Sequence, residues 1–291
     1  IICLNYAESV FKFPDDLKIV YLVNRRSSNV IFRIYYAVSI FIKLSYLLYK
    51  KKPKCVISFM TTANLWTGIS CILTKRPFIV SERTTPDHTI SNQNRFMKWC
   101  FATIYSKAKA IVLPAKGIEN CLKENKGFED LKNYRIINNP VTPLGLLTHQ
   151  KVNSRKFILG VGRLSYEKGF DQLIAAFANL KVKELDILIA GEGIEFEALN
   201  EQINYLKLGD SIKLIGLKEN LQDYYSQAEL FVLPSRNEGY PNALVEAMSM
   251  GCPCIAMDCE FGPAEIINNQ ENGLLIEDKN IQKLTVAIDK V

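Results

Sequence analysis

The chain has 291 residues, 48% of them hydrophobic and 23% charged, with a net charge of +6. Those proportions suit a folded globular protein and exclude a disordered chain, a collagen-like repeat and a small disulfide scaffold. The length suits two domains.

No apolar run reaches the roughly 18 to 20 residues that a membrane-crossing helix needs. The longest uncharged stretch of the most apolar region, Ile34 to Ile42, is bounded by Arg33 and Lys43. The chain begins at Ile1, and Ile281 to Val291 reads as a helix still in progress, so the sequence is read as part of a longer protein. The eight cysteines form no C-x-x-C pair and mostly sit in apolar runs, the pattern of buried free thiols in a reducing compartment. Cys252, Cys254 and Cys259 lack the usual zinc spacing. The net charge conceals a division: residues 1–150 carry +13 and residues 151–291 carry −7. Such asymmetry points to an anionic partner for the first half.

In chain order, Cys55 to Phe59, Phe78 to Val80, Ala110 to Leu113 and Arg135 to Ile137 are the strand candidates of the first half. Residues 138–156 hold Pro140, Pro143, Gly145, Asn153 and Ser154 with little periodicity and are the linker candidate. Lys156 to Gly160, Asp186 to Ile189, Ile212 to Ile215, Leu230 to Leu233 and Cys254 to Ala256 are short apolar runs, each followed by a break. Between the first two, Phe170, Leu173, Ile174, Phe177 and Leu180 recur at helical spacing. Strands alternating with helices predict parallel sheets covered on both faces: an α/β protein with domains at 1–150 and 151–291. In such sheets ligands bind beyond the carboxyl ends of the strands.

The loop after the strand near Phe157 reads Gly162-Arg163-Leu164-Ser165-Tyr166-Glu167-Lys168-Gly169 and runs into a helix. Two cations at a helix N-terminus suit a diphosphate; two solvated surface cations are the plainer alternative. A second block runs from Leu233 through Pro234-Ser235-Arg236-Asn237-Glu238-Gly239-Tyr240-Pro241-Asn242 to Met248. Glu238 lies in its loop and Glu246 two turns into the following helix. Each carboxylate can accept two hydroxyl hydrogen bonds from a vicinal diol, although an exposed loop carboxylate and a helix-surface carboxylate fit the spacing equally well. Backbone amides at Asn242 to Leu244 can meet phosphate oxygens. Gly191-Glu192-Gly193 lacks the third glycine of a dinucleotide fingerprint, and no D-x-D is present to hold a metal.

The order G-R-L-x3-K-G, G-E-G, L-P-S-R-x-E-G-x-P-N-A-L-x-E-A-M-x-x-G-x-P, G-P-x-E-I-I and N-G-L-L, over residues 156–278, resembles the retaining family 4 glycosyltransferases. The resemblance implies the GT-B fold, two Rossmann-like domains facing across a cleft, here lacking the family's first strand and its final helix. It implies a nucleotide-sugar donor, UDP-linked in expectation, with no cofactor and no metal. Arg163 and Lys168 would hold the donor diphosphate beside Gly162. Glu238 would hold the transferred sugar with Gly239 and Tyr240 nearby. Glu246 would hold the ribose hydroxyls, the backbone of Asn242, Ala243 and Leu244 the phosphates and ribose, and the stretch Leu214 to Leu217, Leu214 and Ile215 included, the nucleobase. Arg163, Lys168 and Glu238 would carry the catalysis.

Lys52-Pro53-Lys54-Cys55-Val56-Ile57-Ser58-Phe59 looks like the family's K-P-D-x-V-x-S-F entry to a central strand, with Lys54 in place of Asp. Ser81-Glu82-Arg83-Thr84-Thr85-Pro86 resembles S-E-R-N-D-P of a bacterial branch that makes surface polysaccharides, lipopolysaccharide and lipid-linked oligosaccharides. Glu82 and Arg83 are therefore the acceptor-side candidates; His88 and His149 read as surface residues. The implied acceptor is lipid-linked or a glycan, handled at the inner face of the bacterial cytoplasmic membrane by a cytoplasmic, peripheral enzyme. Lys50, Lys51, Lys52 and Lys54 beside the apolar, aromatic stretch Phe32 to Tyr49 suit an anionic membrane surface, with one helix face packed on the first domain. The basic residues are not interleaved with stacking aromatics as in a nucleic-acid module, so no nucleic-acid partner is expected. A GT-B-like epimerase or phosphorylase, and a non-catalytic nucleotide-sugar-binding fragment, are the alternatives.

Overall fold

The computed structural model describes residues 1–6, 14, 16–24, 29–83, 85–141, 144–180 and 184–290. Thr84, Pro143, Val291 and the side chain of His88 lie outside the described residues. The chain divides into two units, residues 1–113 with 118–137, and residues 114–117 with 138–291.

The first unit contains β1 (Ile2–Asn5), β2 (Val20–Val23), α1 (Val30–Lys51), β3 (Val56–Phe59), α2 (Thr61–Thr74), β4 (Phe78–Ser81), α3 (Pro86–Thr89), α4 (Arg95–Lys107), β5 (Ile111–Leu113), α5 (Lys116–Lys123) and β6 (Tyr134–Ile136). β1 and β2 form a parallel pair, and a separate parallel sheet runs β3-β4-β5-β6. Consecutive strands are neighbours here, so each crossover adds the next strand on the same side.

α1 departs from the sequence expectation. Its 22 residues are long and apolar enough, by length and composition, to cross a membrane, because Arg33 and Lys43 interrupt the apolar run without ending the helix. Asn29 caps it, accepting from the amide of Ile31 at 2.9 Å, and Lys52 ends it in the left-handed region. Ile40, Leu44 and Leu48 are buried where the helix packs on α2 and β2, whereas Ile31, Tyr35, Val38, Ile42, Tyr46 and Tyr49 are exposed. The exposed set steps by three and four residues and so shares one helix face.

The second unit contains β7 (Phe157–Val161), α6 (Phe170–Ala178), β8 (Asp186–Ala190), α7 (Phe196–Tyr205), β9 (Ile212–Gly216), α8 (Leu221–Gln227), β10 (Leu230–Leu233), α9 (Asn242–Ser249), β11 (Cys254–Asp258), α10 (Pro263–Ile266), β12 (Leu274–Glu277) and α11 (Ile281–Ile288). Its six strands are all parallel in the order β12-β11-β10-β7-β8-β9. Both faces of this sheet are covered. Ile158, Leu173, Phe177, Ile187, Ile189 and Val232 form a core on one side. Phe157, Leu159, Leu188, Tyr225, Phe231 and Leu244 form the core on the other. Alternate residues of one strand thus enter opposite cores, which is why β8 and β10 are buried end to end and read as unbroken apolar runs. Residues 144–155 run along this unit rather than hanging free: Asp223 accepts from the amide and hydroxyl of Thr148 at 2.8 and 2.7 Å.

Beyond β7 and β8, two glycine-containing loops lie backbone to backbone. The amide of Gly162 donates to the carbonyl of Ala190 at 3.0 Å, and that of Leu164 to Glu192 at 2.9 Å. A Cβ at Gly191, whose φ is +144°, would stand 1.9 Å from the carbonyl oxygen of Gly162. Only glycine allows that approach.

Candidate functional site

The strand order of the second unit reverses between β7 and β10. From β7 the chain winds outward through β8 and β9, then returns to lay β10 against the other side of β7, with Leu230 opposite Ile158. The chain therefore leaves the carboxyl ends of these two neighbouring strands in opposite directions along the sheet, a switch point of the kind at which open α/β sheets bind ligands. Every donor-side residue read from the sequence lies on the loops that follow these two strands, on α9, or on β9 and Leu217 just past its end.

The loop after β7 ends in a 3-10 turn, Tyr166–Lys168, and then Gly169 with φ +64°. A Cβ on Gly169 would sit 2.1 Å from the carbonyl oxygen of Pro234, so the two loops touch through their backbones. Arg236 fastens them. Its guanidinium pairs with both carboxylate oxygens of Asp171 at 2.7 and 2.5 Å and lies 4.2 Å over the Tyr166 ring, and its amide donates to Glu167 at 2.8 Å. The sequence reading gave Arg236 no role.

Inside this frame Lys168 and Glu238, 70 residues apart, meet. The Lys168 ammonium is 2.6 Å from Glu238 Oε1, and the hydroxyl of Ser235 donates to the same oxygen at 2.8 Å. Glu238 is only 6% exposed. Burying a carboxylate that far is costly unless such partners satisfy it. Gly239 and Tyr240 follow, half-buried, and burial pushes the Tyr240 phenol up, with the Glu265 carboxylate adding to the effect.

Arg163 is exposed and lines a cavity of about 260 Å³ with Gly162, Gly191, Glu192, Leu217 and Lys218. Of the stretch Leu214 to Leu217 expected at the nucleobase, Leu214 and Ile215 pack from β9 against the two cores, whereas Leu217 lines the cavity together with Lys218. The period-two pleat sends the side chains within the strand into the layers, leaving the wall to the residues just past its end.

α9 corrects one further expectation. The amide of Leu244 is occupied, donating to the carbonyl of Pro241 at 3.1 Å, and the Leu244 side chain is fully buried. The first amides of the helix, those of Asn242 and Ala243, precede it. The exposed Asn242 accepts from the side chain of Asn139 at 2.8 Å, and Ala243 is half-buried. Glu246 accepts from the Tyr225 hydroxyl at 3.0 Å. Burial raises the Glu246 carboxyl and the Tyr225 hydrogen bond lowers it, burial being the larger influence. Tyr225, fully buried between α8 and the sheet, escaped the sequence reading because its spacing is that of any core aromatic.

The acceptor-side candidates separate in the first unit. Glu82 is 1% exposed at the end of β4 and is held by the Thr61 hydroxyl at 2.8 Å, the Asn64 amide at 3.0 Å and the Tyr105 hydroxyl. Burial raises its carboxyl against those three hydrogen bonds. The structure thus places the Glu82 carboxylate in an internal network rather than on an exposed surface. Arg83 is half-buried, with its guanidinium 5.5 Å from the Phe59 ring centre.

Residues 148–291 match the family model described as glycosyl transferases group 1. That match takes in nearly the whole of the second unit. The chain is 29% identical over 261 residues to N-acetylgalactosamine-N,N'-diacetylbacillosaminyl-diphospho-undecaprenol 4-alpha-N-acetylgalactosaminyltransferase of Campylobacter jejuni, covering 82% of this chain and 69% of that protein. It is 31% identical over 193 residues to the amylovoran biosynthesis glycosyltransferase AmsD of Erwinia amylovora, covering 64% of this chain and 53% of that protein. The chain therefore spans about half the length of AmsD. Among solved structures, Anabaena HepE in complex with UDP and glucose superposes with a TM-score of 0.75 at 18% identity, over 94% of this chain and 76% of that one. The fold is α/β of the GT-B type.

The Tyr225–Glu246 contact of the second unit yields a signed prediction. The Tyr225 hydrogen bond favours the ionised carboxylate, so Tyr225→Phe should move the Glu246 carboxyl midpoint further up. A side-chain carboxyl NMR titration of Glu246 in both proteins checks it, and an unchanged or lowered midpoint contradicts it.

Proposed function

We propose that the protein is a metal-independent retaining glycosyltransferase. It moves a sugar from a nucleotide-sugar donor, UDP-linked, to a lipid-linked or polysaccharide acceptor in cell-envelope glycan biosynthesis. The observation that carries this reading is the Lys168–Glu238 contact of 2.6 Å at the switch point, beside the Arg163 cavity. The UDP and glucose of the HepE structure and the diphospho-undecaprenol in the name of the Campylobacter relative support the donor and acceptor classes.

In this reading the sugar–phosphate bond breaks and negative charge grows on the β-phosphate. Arg163, Lys168 and the first amides of α9 stabilise that charge, which is electrostatic catalysis by groups already in place. The departing phosphate takes the proton of the acceptor hydroxyl, and the new glycosidic bond forms on the face the phosphate leaves. Lys168 thus has two partners, the diphosphate and Glu238. Glu238 accepts hydroxyls of the transferred sugar, and Glu246 accepts those of the ribose.

Lys168→Ala should lower kcat by about two orders of magnitude or more, measured with EDTA present. It should also cost about 1–3 kcal/mol of stability, since Glu238 loses its charged partner. Turnover near the original value in a folded variant rejects the clamp.

Glu238→Gln should depress kcat while sparing UDP affinity, whereas Glu246→Gln should weaken UDP binding. Calorimetric titration of UDP into each variant distinguishes them, and equal losses of affinity contradict the division of labour.

The first unit, in this reading, rests on the anionic inner face of the bacterial cytoplasmic membrane, so the enzyme is cytoplasmic and peripheral. Its support is the +13 of residues 1–150 together with the uncharged exposed face of α1 and the lysines at its end, Lys50, Lys51, Lys52 and Lys54. Each cation near an anionic surface contributes about 1 kcal/mol. Co-sedimentation with phosphatidylglycerol vesicles should fall with added salt and drop sharply in Lys50/Lys51/Lys52/Lys54→Glu. Equal binding to neutral vesicles counts against this docking.

A further inference from the structure

The first unit holds a second cavity, of about 470 Å³, that shares no residue with the site of the second unit. The outer face of α4 and the turn after α5 enclose it, with Arg95, Lys98, Trp99, Glu124 and Lys126 in its wall. The turn lies close on the helix: Gly127 has φ +92°, and a Cβ there would come within 2.9 Å of the Ala102 Cβ. Asn125 is buried and anchors the turn, donating to the Cys121 carbonyl and the Ser91 hydroxyl at 3.1 Å each. The cavity is therefore preformed and within the usual range for a small-molecule site, roughly 300–1,000 Å³.

Its chemistry is specific. Three cations face one carboxylate, Glu124, and among the described residues Arg95 and Lys98 belong to no ion pair. On the same helix Phe96 and Trp99 are 66% and 62% exposed, with ring centres 6.1 Å apart. Unpaired cations gain from an anion, and two projecting aromatic rings gain from an apolar neighbour. Aromatic rings beside lysine and arginine are the residue pairing of a membrane interface, where one end of the side chain is apolar and the other wet.

We propose that this cavity receives the phosphate-bearing headgroup of an anionic lipid, with Arg95, Lys98 and Lys126 on the phosphate and Phe96 and Trp99 in the interface. The inference rests on the membrane-facing reading of the first unit and adds to it a headgroup site built from residues other than the lysines at the end of α1.

The protein has two tryptophans, so Trp66→Phe leaves Trp99 as the only indole reporter. Phosphatidylglycerol vesicles should shift the Trp99 emission to the blue, phosphatidylcholine vesicles should not, and lipids brominated on the acyl chain should quench it. Arg95→Glu/Lys98→Glu in that background should weaken the response by about tenfold or more. Co-sedimentation is scored in parallel. Binding to phosphatidylglycerol with no change at Trp99 overturns the headgroup site and leaves the membrane reading standing; absence of binding overturns both. A shift produced as well by soluble glycerol 3-phosphate overturns the lipid as its source.

Discussion

The pairing of β10 with β7 is the constraint on which the site depends. Parallel strands need crossovers, and a crossover that returns to the opposite edge of the first strand sends the next loop away from the earlier one. The switch point at the carboxyl ends of β7 and β10 therefore follows from strand order, before any side chain is considered. Its loops would be free to drift without a fastening. The Gly169–Pro234 contact and the Arg236–Asp171 pair supply it, one by removing a Cβ and the other by a two-point charged hydrogen bond. Lys168 precedes Gly169, and Glu238 lies two residues after Arg236, so the fastening also sets the Lys168–Glu238 distance.

The two glutamates of the E-x7-E pair occupy different electrostatic surroundings. Glu238 is nearly buried and has a lysine ammonium and a serine hydroxyl on one oxygen. Glu246 has a neutral phenol, and its carboxyl is raised by burial. A charged partner can be shared with an incoming anion, since an ammonium has three donors and Glu238 engages one. A phenol offers its single hydrogen to Glu246 and orients the carboxylate without adding charge. The same residue type thus stands in two electrostatic surroundings, one with a charged partner and one with a neutral partner.

Much of the second unit was legible in the sequence because the physics there is local. The runs at Asp186, Ile212 and Leu230 are too short for helices and too apolar for loops, and all three begin strands at those residues. Gly251, just past α9, has φ +73°, the left-handed conformation in which glycine ends a helix. What escaped was set by long-range contact. The Lys168–Glu238 and Arg236–Asp171 pairs join residues 70 and 65 positions apart, and no spacing rule encodes them. The burial of Glu82 escapes the sequence for the related reason that Thr61, Asn64 and Tyr105 reach it from α2 and α4. A carboxylate at a strand end has the same sequence signal whether it faces a ligand or its own core.

α1 shows where pattern reading fails in the opposite direction. Both of its faces are apolar, so periodicity cannot say which one packs inward. The structure buries Ile40, Leu44 and Leu48 and exposes six large side chains along the other face. An exposed apolar stripe of that length is costly in water, and charge placed along it would have lessened the cost. The cations are instead displaced: Lys43 turns aside to donate to the Leu22 carbonyl at 2.8 Å, and Lys50 and Lys51 close the helix. A helix with one apolar face packed, the other uncharged and its lysines gathered at one end suits a boundary between protein, lipid and phosphate better than it suits bulk water.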